Sequence, residues 1–151
     1  MEHLRPKRER RYVDATAGAG SHSSAILRTI SPNGQVLCLD ADHSAIQKLN
    51  ETLGPFSKKV LCRQGNFADI LVHAKHAGFT DVDGVIFDLG FSSTQIENAD
   101  RGFSFQIDGP LDMRYDQSQG TTAADIIART PQKQLANIIF DYGDERRSRK
   151  I

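Results

Sequence analysis

The sequence predicts an α/β fold in which a parallel sheet carries helices on both faces. Short apolar runs alternate with helix-like segments in the order β-α-β-α-β-α-β between Arg11 and Gly90. The runs are continuously apolar rather than alternating, as in strands that are covered on both faces. Glycines or acids follow the runs, as expected where a strand ends in a tight turn. Right-handed crossovers then leave few topologies open.

The individual elements follow from these patterns and from turn residues. Four strands are predicted within "RYVDAT" (11–16), "QVLCLD" (35–40), "KKVLCRQGNF" (58–67) and "VDGVIFDLG" (82–90). The intervening helices are predicted from about His22 to Ile30, from the cap Asp42 to Gly54, and over 68–78. After Gly90 we expect a long polar loop and then two helices, one over 122–129 and one capped by Thr130 and ended by Gly143.

Composition and length narrow the class of protein. A chain of 151 residues with 38% hydrophobic residues predicts one compact globular unit. No stretch reaches the roughly 18 apolar residues of a membrane span, and the N-terminus has no apolar secretory core. We therefore expect no membrane partner and a cytoplasmic location, with a mitochondrial or plastid matrix as the alternative.

Charged residues and cysteines give weaker indications. Lys plus Arg and Asp plus Glu both number 19, so attraction to nucleic acid depends on local patches. "RPKRERR" (5–11) and "ERRSRK" (145–150) are such patches, and each is equally compatible with a solvated tail. Cys38 and Cys62 lie in apolar runs and are predicted core residues, and the histidines lack metal-ligand spacing, so no metal is expected.

The stretch "DATAGAGSHSSAIL" (14–27) predicts a nucleoside cofactor. Gly18 and Gly20 allow the backbone to approach a ligand, and Asp40, about 20 residues later at the end of the second strand, can accept from ribose hydroxyls. A dinucleotide fold normally has Gly or Ala where this chain has Ser23, which disfavours NAD. S-adenosylmethionine (SAM) has no phosphate to hold, and its ammonium favours a carboxylate such as Asp14 or Asp88. The pattern therefore favours SAM over NAD.

Three longer motifs carry a resemblance to a known family. "YVDATAGAGSHSSAIL" (12–27), "DLGFSSTQIENADRGFSFQIDGPLDMR" (88–114) and "YGDERRSRKI" (142–151) occur in the family's order. They resemble the ribosomal small-subunit RNA cytosine-N4 methyltransferases, the MraW or RsmH family. The resemblance implies a Rossmann-like SAM-dependent methyltransferase fold. It also suggests a truncated member, with a sheet that is incomplete at the C-terminus and only the start of a helical insertion.

The resemblance divides the chain and assigns the cofactor site. It implies a basic N-terminal tail (1–11), a cofactor-binding part (12–95), and a loop with the start of the insertion (96–151). The implied SAM contacts lie in the glycine turn, at strand ends and in a loop: Gly18, Gly20, Ser21, His22, Asp40, Phe67, Asp88 and Gln95.

The implied reaction is methylation of a cytidine N4 amine in small-subunit ribosomal RNA. Acceptors for the amine hydrogens are expected among Asp88, Ser92 and Ser93. RNA contacts are expected at the loop residues Arg101, Phe103, Phe105 and Arg114. Alternatives are an inactive remnant, an RNA-binding module or an NAD-dependent oxidoreductase. A homodimer or another partner that completes the sheet is also possible in this interpretation.

Overall fold

The computed structural model describes residues 3–151, which form two compact units. The first ends at Ser92 and the second comprises Ser93–Ile151. The prediction of one compact unit was therefore wrong. The two helices predicted after Gly90 are present, but the stretch before them, which was expected to be a loop, contains a short helix and a hydrogen-bonded centre, described below.

The first unit contains a four-stranded, fully parallel sheet. The strands are β1 (Arg11–Asp14), β2 (Gln35–Asp40), β3 (Val60–Gln64) and β4 (Gly84–Ile86), in the order β3-β2-β1-β4. Val13 pairs with Leu37 and with Val85. Because every strand runs in the same direction, the residues that follow all four strands meet at one edge of the sheet.

Helices cover both faces of this sheet. They are α1 (Ser21–Ile30), α2 (His43–Thr52) and α3 (Ile70–His76). On one face, α1 and α2 pack Ile26, Leu27 and Leu49 against Tyr12, Val36 and Cys38. On the other face, Ile70 and Ala74 of α3 pack with Phe79 against Val13, Leu37 and Leu39. The predicted parallel α/β architecture is confirmed.

Two predicted strands end earlier than the sequence indicated. β1 stops at Asp14 because the chain turns there: the amide of Ala15 donates to Ile86 O, and the amide of Ala17 crosses to Leu39 O. β4 has three residues instead of the nine in its apolar run. Among the described residues β4 pairs only with β1. The length of β4 is therefore set by its hydrogen bonds to that one neighbouring strand.

The second unit consists of α4 (Ser93–Glu97), α5 (Ala123–Arg129) and α6 (Gln132–Gly143), with short 3-10 turns at Ala99–Arg101 and Ser148–Lys150. Thr122, where this helix was predicted to begin, caps α5 by accepting from the Asp125 amide. The predicted cap of the last helix was wrong. Thr130 donates its own amide to Ile126 O at the end of α5, and the residue before α6 is Pro131.

Part of the basic run at residues 5–11 is hydrogen-bonded to the rest of the first unit. The amide of Lys7 donates to the Tyr12 hydroxyl, the amide of Glu9 donates to Ile30 O, and Arg8 Nε donates to Ser31 O. Residues 1 and 2 of the predicted tail lie outside the described residues. Within residues 3–151, no helix is both long and apolar enough to cross a membrane.

Candidate functional site: the carboxyl edge of the sheet

The turn after β1 is built on a buried carboxyl. Asp14 is 1% exposed, and its Oδ2 accepts from Ser23 Oγ at 2.6 Å while Oδ1 faces the Thr16 amide at 3.4 Å. Burial raises the pKa of Asp14, and the bonds from Ser23 and Thr16 oppose that rise. Asp14 thus joins β1 to α1 from inside. Of the two carboxylates suggested for the SAM ammonium, Asp88 is the exposed one.

Asp40 organises the glycine turn from the neighbouring strand. Its Oδ2 accepts from the Gly18 amide at 2.8 Å, and its Oδ1 accepts from the Asp42 amide at 2.9 Å. Each carboxylate oxygen retains a second acceptor position, and the side chain is partly exposed. Asp40 therefore holds the turn in place and still has acceptors available for a ligand.

The two glycines of the turn differ in what they require. Gly20 caps α1 with φ +89°, and a Cβ there would lie 2.8 Å from Leu49 Cδ1. Gly18 has φ +51°, and a Cβ there would meet nothing within 4 Å. Gly20 is thus required by packing against α2, whereas the space beside Gly18 is open. The turn that Asp40 holds through the Gly18 amide therefore has an open side with room for a ligand.

The first turn of α1 is solvent-facing. Ser21 and His22 are both exposed, and Gly20 provides no side-chain cap for the helix. The free amides at this end therefore point toward the same edge of the sheet as the strand termini. His22 Nδ1 lies 3.7 Å from Asp88 Oδ2, and both side chains are substantially exposed.

Asp88 is fixed through its backbone instead of its side chain. Its amide donates to Thr16 Oγ1 at 2.7 Å, which ties the residues after β4 to the turn after β1. The carboxylate itself is 67% exposed. Main-chain anchoring with an exposed carboxylate suits a group that binds or polarises a ligand.

An aromatic side chain borders this edge after β3. Phe67 begins a 3-10 turn capped by Asn66, whose side chain accepts from the Ala68 amide. Its ring is 42% exposed and meets Phe87 edge-on, with ring centroids 5.8 Å apart. Phe87 covers part of the Phe67 ring, and the exposed remainder of that ring is available for stacking.

Seven of the predicted cofactor residues thus lie at this edge of the first unit: Gly18, Gly20, Ser21, His22, Asp40, Phe67 and Asp88. Sequence reasoning missed Thr16 and Ser23, which hold Asp88 and Asp14. Ser23 had a detectable signal, because it lies on the buried face of α1 with Ile26, Leu27 and Ile30. Thr16 had none, because its partner is 72 residues away.

The next predicted site residues along the chain are Ser92, Ser93 and Gln95. Ser92 is exposed at the end of the first unit, and Ser93 opens α4. Gln95, on the same helix, is only 6% exposed. Their assigned roles as amine acceptors and as a cofactor contact stay predictions.

Arg101 forms the centre of the second unit. It is 4% exposed, and its Nη2 donates to Arg114 O and Tyr115 O, both at 2.9 Å. Gly102 and Gly109 make this arrangement possible, since a Cβ at either would collide with the backbone oxygen of Pro110 or Ala99. The "RGFSF" and "DGPLDMR" stretches therefore pack on each other through main-chain atoms. Arg101 has a clear structural role in this centre.

Arg114 and the aromatic residues lie around that centre. Arg114 forms a bidentate ion pair with Asp112: Nη2 donates to Oδ2 at 2.6 Å and Nε donates to Oδ1 at 2.9 Å. That pair lowers the pKa of Asp112 to about 2. The ring centroids of Phe103 and Tyr115 are 5.6 Å apart, and Arg101 Cζ lies 5.9 Å from the Phe103 ring centroid. Phe105, in contrast, is 96% exposed. Of the four predicted RNA contacts, Phe105 is the most accessible.

The chemical groups at the sheet edge fit SAM. Asp40 offers acceptors for ribose hydroxyls, Phe67 offers an exposed ring for adenine, and the space beside Gly18 is open to a ligand. Over residues 3–151, no group of three or more His, Cys, Asp or Glu side chains is arranged to hold a metal ion.

Comparison with known proteins identifies the family. The family model described as the MraW methylase family matches residues 1–151. The chain belongs to the MraW methylase family. For an MraW-family chain, the parallel sheet with helices on both faces is the Rossmann-like methyltransferase fold that the motifs implied.

Relatives of this MraW-family chain share a name. It is 44% identical over 151 residues to "Ribosomal RNA small subunit methyltransferase H" of Syntrophotalea carbinolica, covering 100% of this chain and 48% of that protein. It is 46% identical over 141 residues to the protein of that name from Dehalococcoides mccartyi, covering 93% and 40%. Among solved structures it matches a SAM-dependent methyltransferase from Aquifex aeolicus with TM-score 0.39 and 17% identity, over 43% of this chain and 35% of that one. The chain spans about half the length of the curated relatives it matches.

Proposed function

We propose that this protein transfers a methyl group from SAM to the N4 amine of a cytidine in small-subunit ribosomal RNA. The observation that carries the proposal is the match of the entire chain to the MraW methylase family, together with a polar sheet edge of the right chemistry. The relatives are named ribosomal RNA small subunit methyltransferases, which supports the substrate class.

In this proposal the first unit holds the cofactor. Asp40 would accept from the ribose hydroxyls, Phe67 would stack on the adenine, and the turn at Gly18 and Gly20 would line the methionine end with Ser21 and His22. Gln95 is the further expected contact. When bound, SAM supplies an activated methyl group on a sulfonium, so the protein has mainly to position the acceptor in line.

The exposed carboxylate of Asp88 is our candidate for the group that acts on the amine. A cytosine amine is a weak nucleophile because its lone pair is delocalised into the ring. An acceptor for its hydrogens helps the nitrogen to rehybridise as the new bond forms, and a carboxylate is the stronger acceptor than a hydroxyl. Ser92 and Ser93 are secondary candidates for the second hydrogen.

The second unit is our candidate for RNA contact. Enzymes that modify bases work on nucleotides taken out of the stack, which exposed aromatic rings and cations stabilise. Phe105 is the ring best placed for this by exposure, with Phe103 and Arg114 nearer the packed centre. Arg101 would act through the loop that it holds. This assignment also implies the division of function between residues 12–95 and 96–151.

The substrate implies where the protein works and what it meets. Ribosomal RNA is methylated where ribosomes are made, so we infer a cytoplasmic location, or the matrix of a mitochondrion or plastid. A homodimer or another polypeptide beside β4 is the proposed means of completing the sheet. An RNA-binding role without methyl transfer is the alternative, and the assay below separates the two.

The test is a methyl-transfer assay with the purified chain, radiolabelled SAM and small ribosomal subunits lacking the modification. We expect label in RNA that digests to N4-methylcytidine, and an Asp88→Asn variant with kcat lowered by at least about a hundredfold. Asp83→Asn is the matched control, because Asp83 lies just before β4, at the end of the strand opposite to Asp88. RNA binding without transfer would contradict the proposal and favour the alternative.

A further inference from the structure

The two cysteines of this protein lie side by side in the sheet. Cys38 of β2 pairs in register with Cys62 of β3, and both pack against the same apolar cluster beneath α1 and α2. Neighbouring strands are about 4.8 Å apart, which falls within the roughly 4.4–6.8 Å between Cα atoms that a disulfide spans. Both cysteines are free thiols.

The environments of the two thiols differ. Cys38 is fully buried, whereas Cys62 is partly exposed. A hydrogen bond from the Cys38 thiol lowers the pKa of Cys62, because it stabilises the thiolate. The same bond, with burial, raises the pKa of Cys38. Since the thiolate is the nucleophile, Cys62 is the reactive member of the pair.

Cys62 also borders a small pocket of about 90 Å³. Its lining consists of Asn50, Leu53, Gly54, Ser57, Val60 and Cys62, and three of these residues are exposed. A cavity of this size has room for molecules as small as water or hydrogen peroxide.

We propose that Cys62 is a site of oxidation by hydrogen peroxide and that Cys38 is its resolving thiol. The Cys62 thiolate attacks one peroxide oxygen, the O–O bond breaks, and hydroxide leaves to become water. Sulfur is oxidised to a sulfenic acid while the peroxide is reduced. Cys38 then loses its proton and attacks the Cys62 sulfur, so an S–S bond forms, the S–O bond breaks, and the oxygen leaves as a second water.

The first test needs no variant. The native chain is alkylated with a small reagent such as iodoacetamide, and both cysteines are followed by peptide mass spectrometry. We expect Cys62 to react at least about tenfold faster than Cys38, and both to react alike in urea. Equal rates in the native chain would overturn the proposal.

The second test follows the oxidation itself. After peroxide treatment and alkylation, the unsubstituted chain should contain a Cys38–Cys62 peptide cross-link that dithiothreitol reverses. Cys38→Ser should instead accumulate a Cys62 sulfenic acid that dimedone traps, and Cys62→Ser should leave Cys38 reduced. Cys38→Ala replaces Cys38→Ser if circular dichroism finds the serine variant unfolded. Peroxide-treated protein with both thiols still alkylatable, or with Cys38 oxidised first, would contradict the assignment.

Discussion

At the scale of single residues, the site depends on hydrogen bonds between side chains and main-chain amides. Asp40 and Asp88 face solvent at the sheet edge, but a main-chain contact fixes each of them: the Gly18 and Asp42 amides bind the Asp40 carboxylate, and Thr16 accepts the Asp88 amide. The orientation of the Asp40 carboxylate and the backbone position of Asp88 are thus set before any ligand arrives. Such preorganisation reduces what binding must order.

Ser23 tests the interior of this arrangement. Ser23→Ala removes the hydroxyl that donates to buried Asp14, so we expect unfolding free energy to fall by about 1–3 kcal/mol in urea titrations. Ser24→Ala, one residue along α1 and partly exposed, is the control, with a change within about 0.5 kcal/mol. Similar values for both variants would show that the Asp14–Ser23 bond contributes little.

Asp112 tests the second unit by pH. Its pKa in the folded protein is about 2, below the ordinary 3.8, because Arg114 pairs with the carboxylate. The folded state therefore holds this proton less tightly than the unfolded state. The stabilisation is complete above about 3.8 and disappears as pH falls toward 2.

The Asp112 prediction is measured by urea unfolding of the chain and of Asp112→Asn across that pH range. The variant cannot titrate at this position, so its stability should fall less steeply from pH 4 toward 2. Asp108→Asn, an exposed acid of the same stretch, is the control. Parallel pH curves for Asp112→Asn and the unsubstituted chain would contradict the role given to the pair.

At the scale of elements, sequence patterns predicted what is local and missed what is distant. The apolar run "QVLCLD" defined β2 to the residue, and Asp42 caps α2 as its position indicated. The length of β4 and the end of β1 depend on hydrogen bonds between strands, which no local pattern encodes. Likewise α4 lies in a stretch whose glycines and polar residues suggested a loop.

The edge strand β4 carries a testable liability. Val85 of β4 and two residues that follow the strand, Phe87 and Leu89, are 37%, 51% and 68% exposed, and an exposed apolar strip at a strand edge invites pairing with other chains. Leu89→Lys should reduce self-association of the concentrated chain, measured by sedimentation velocity. Leu71→Lys on α3 is the control, since Leu71 is 82% exposed but does not belong to this strip. Equal effects of both variants would argue against a special role for the β4 edge.

At the scale of the whole molecule, the family motifs indicated more about the function than the spacing of apolar residues did. Alternating strands and helices predicted the parallel sheet, and Gly18 with Asp40 indicated a nucleoside site. The choice of SAM over NAD depended partly on Ser23 and partly on the lack of a phosphate in SAM, and the structure gives Ser23 a different task, as the partner of buried Asp14. The division between Ser92 and Ser93 reflects contacts that form only in the folded chain. Strand and helix periodicity does not mark it, and the boundary after residue 95 came from the family resemblance alone.

The central claim is that the sheet edge binds SAM, and calorimetric titration of the 151-residue chain with SAM tests it most directly. We expect saturable binding that weakens about tenfold in Phe67→Ala, through loss of stacking, and is unchanged in Phe105→Ala. Absence of binding by a chain that circular dichroism finds folded, or equal affinity of Phe67→Ala and the unsubstituted chain, would contradict this account of the site.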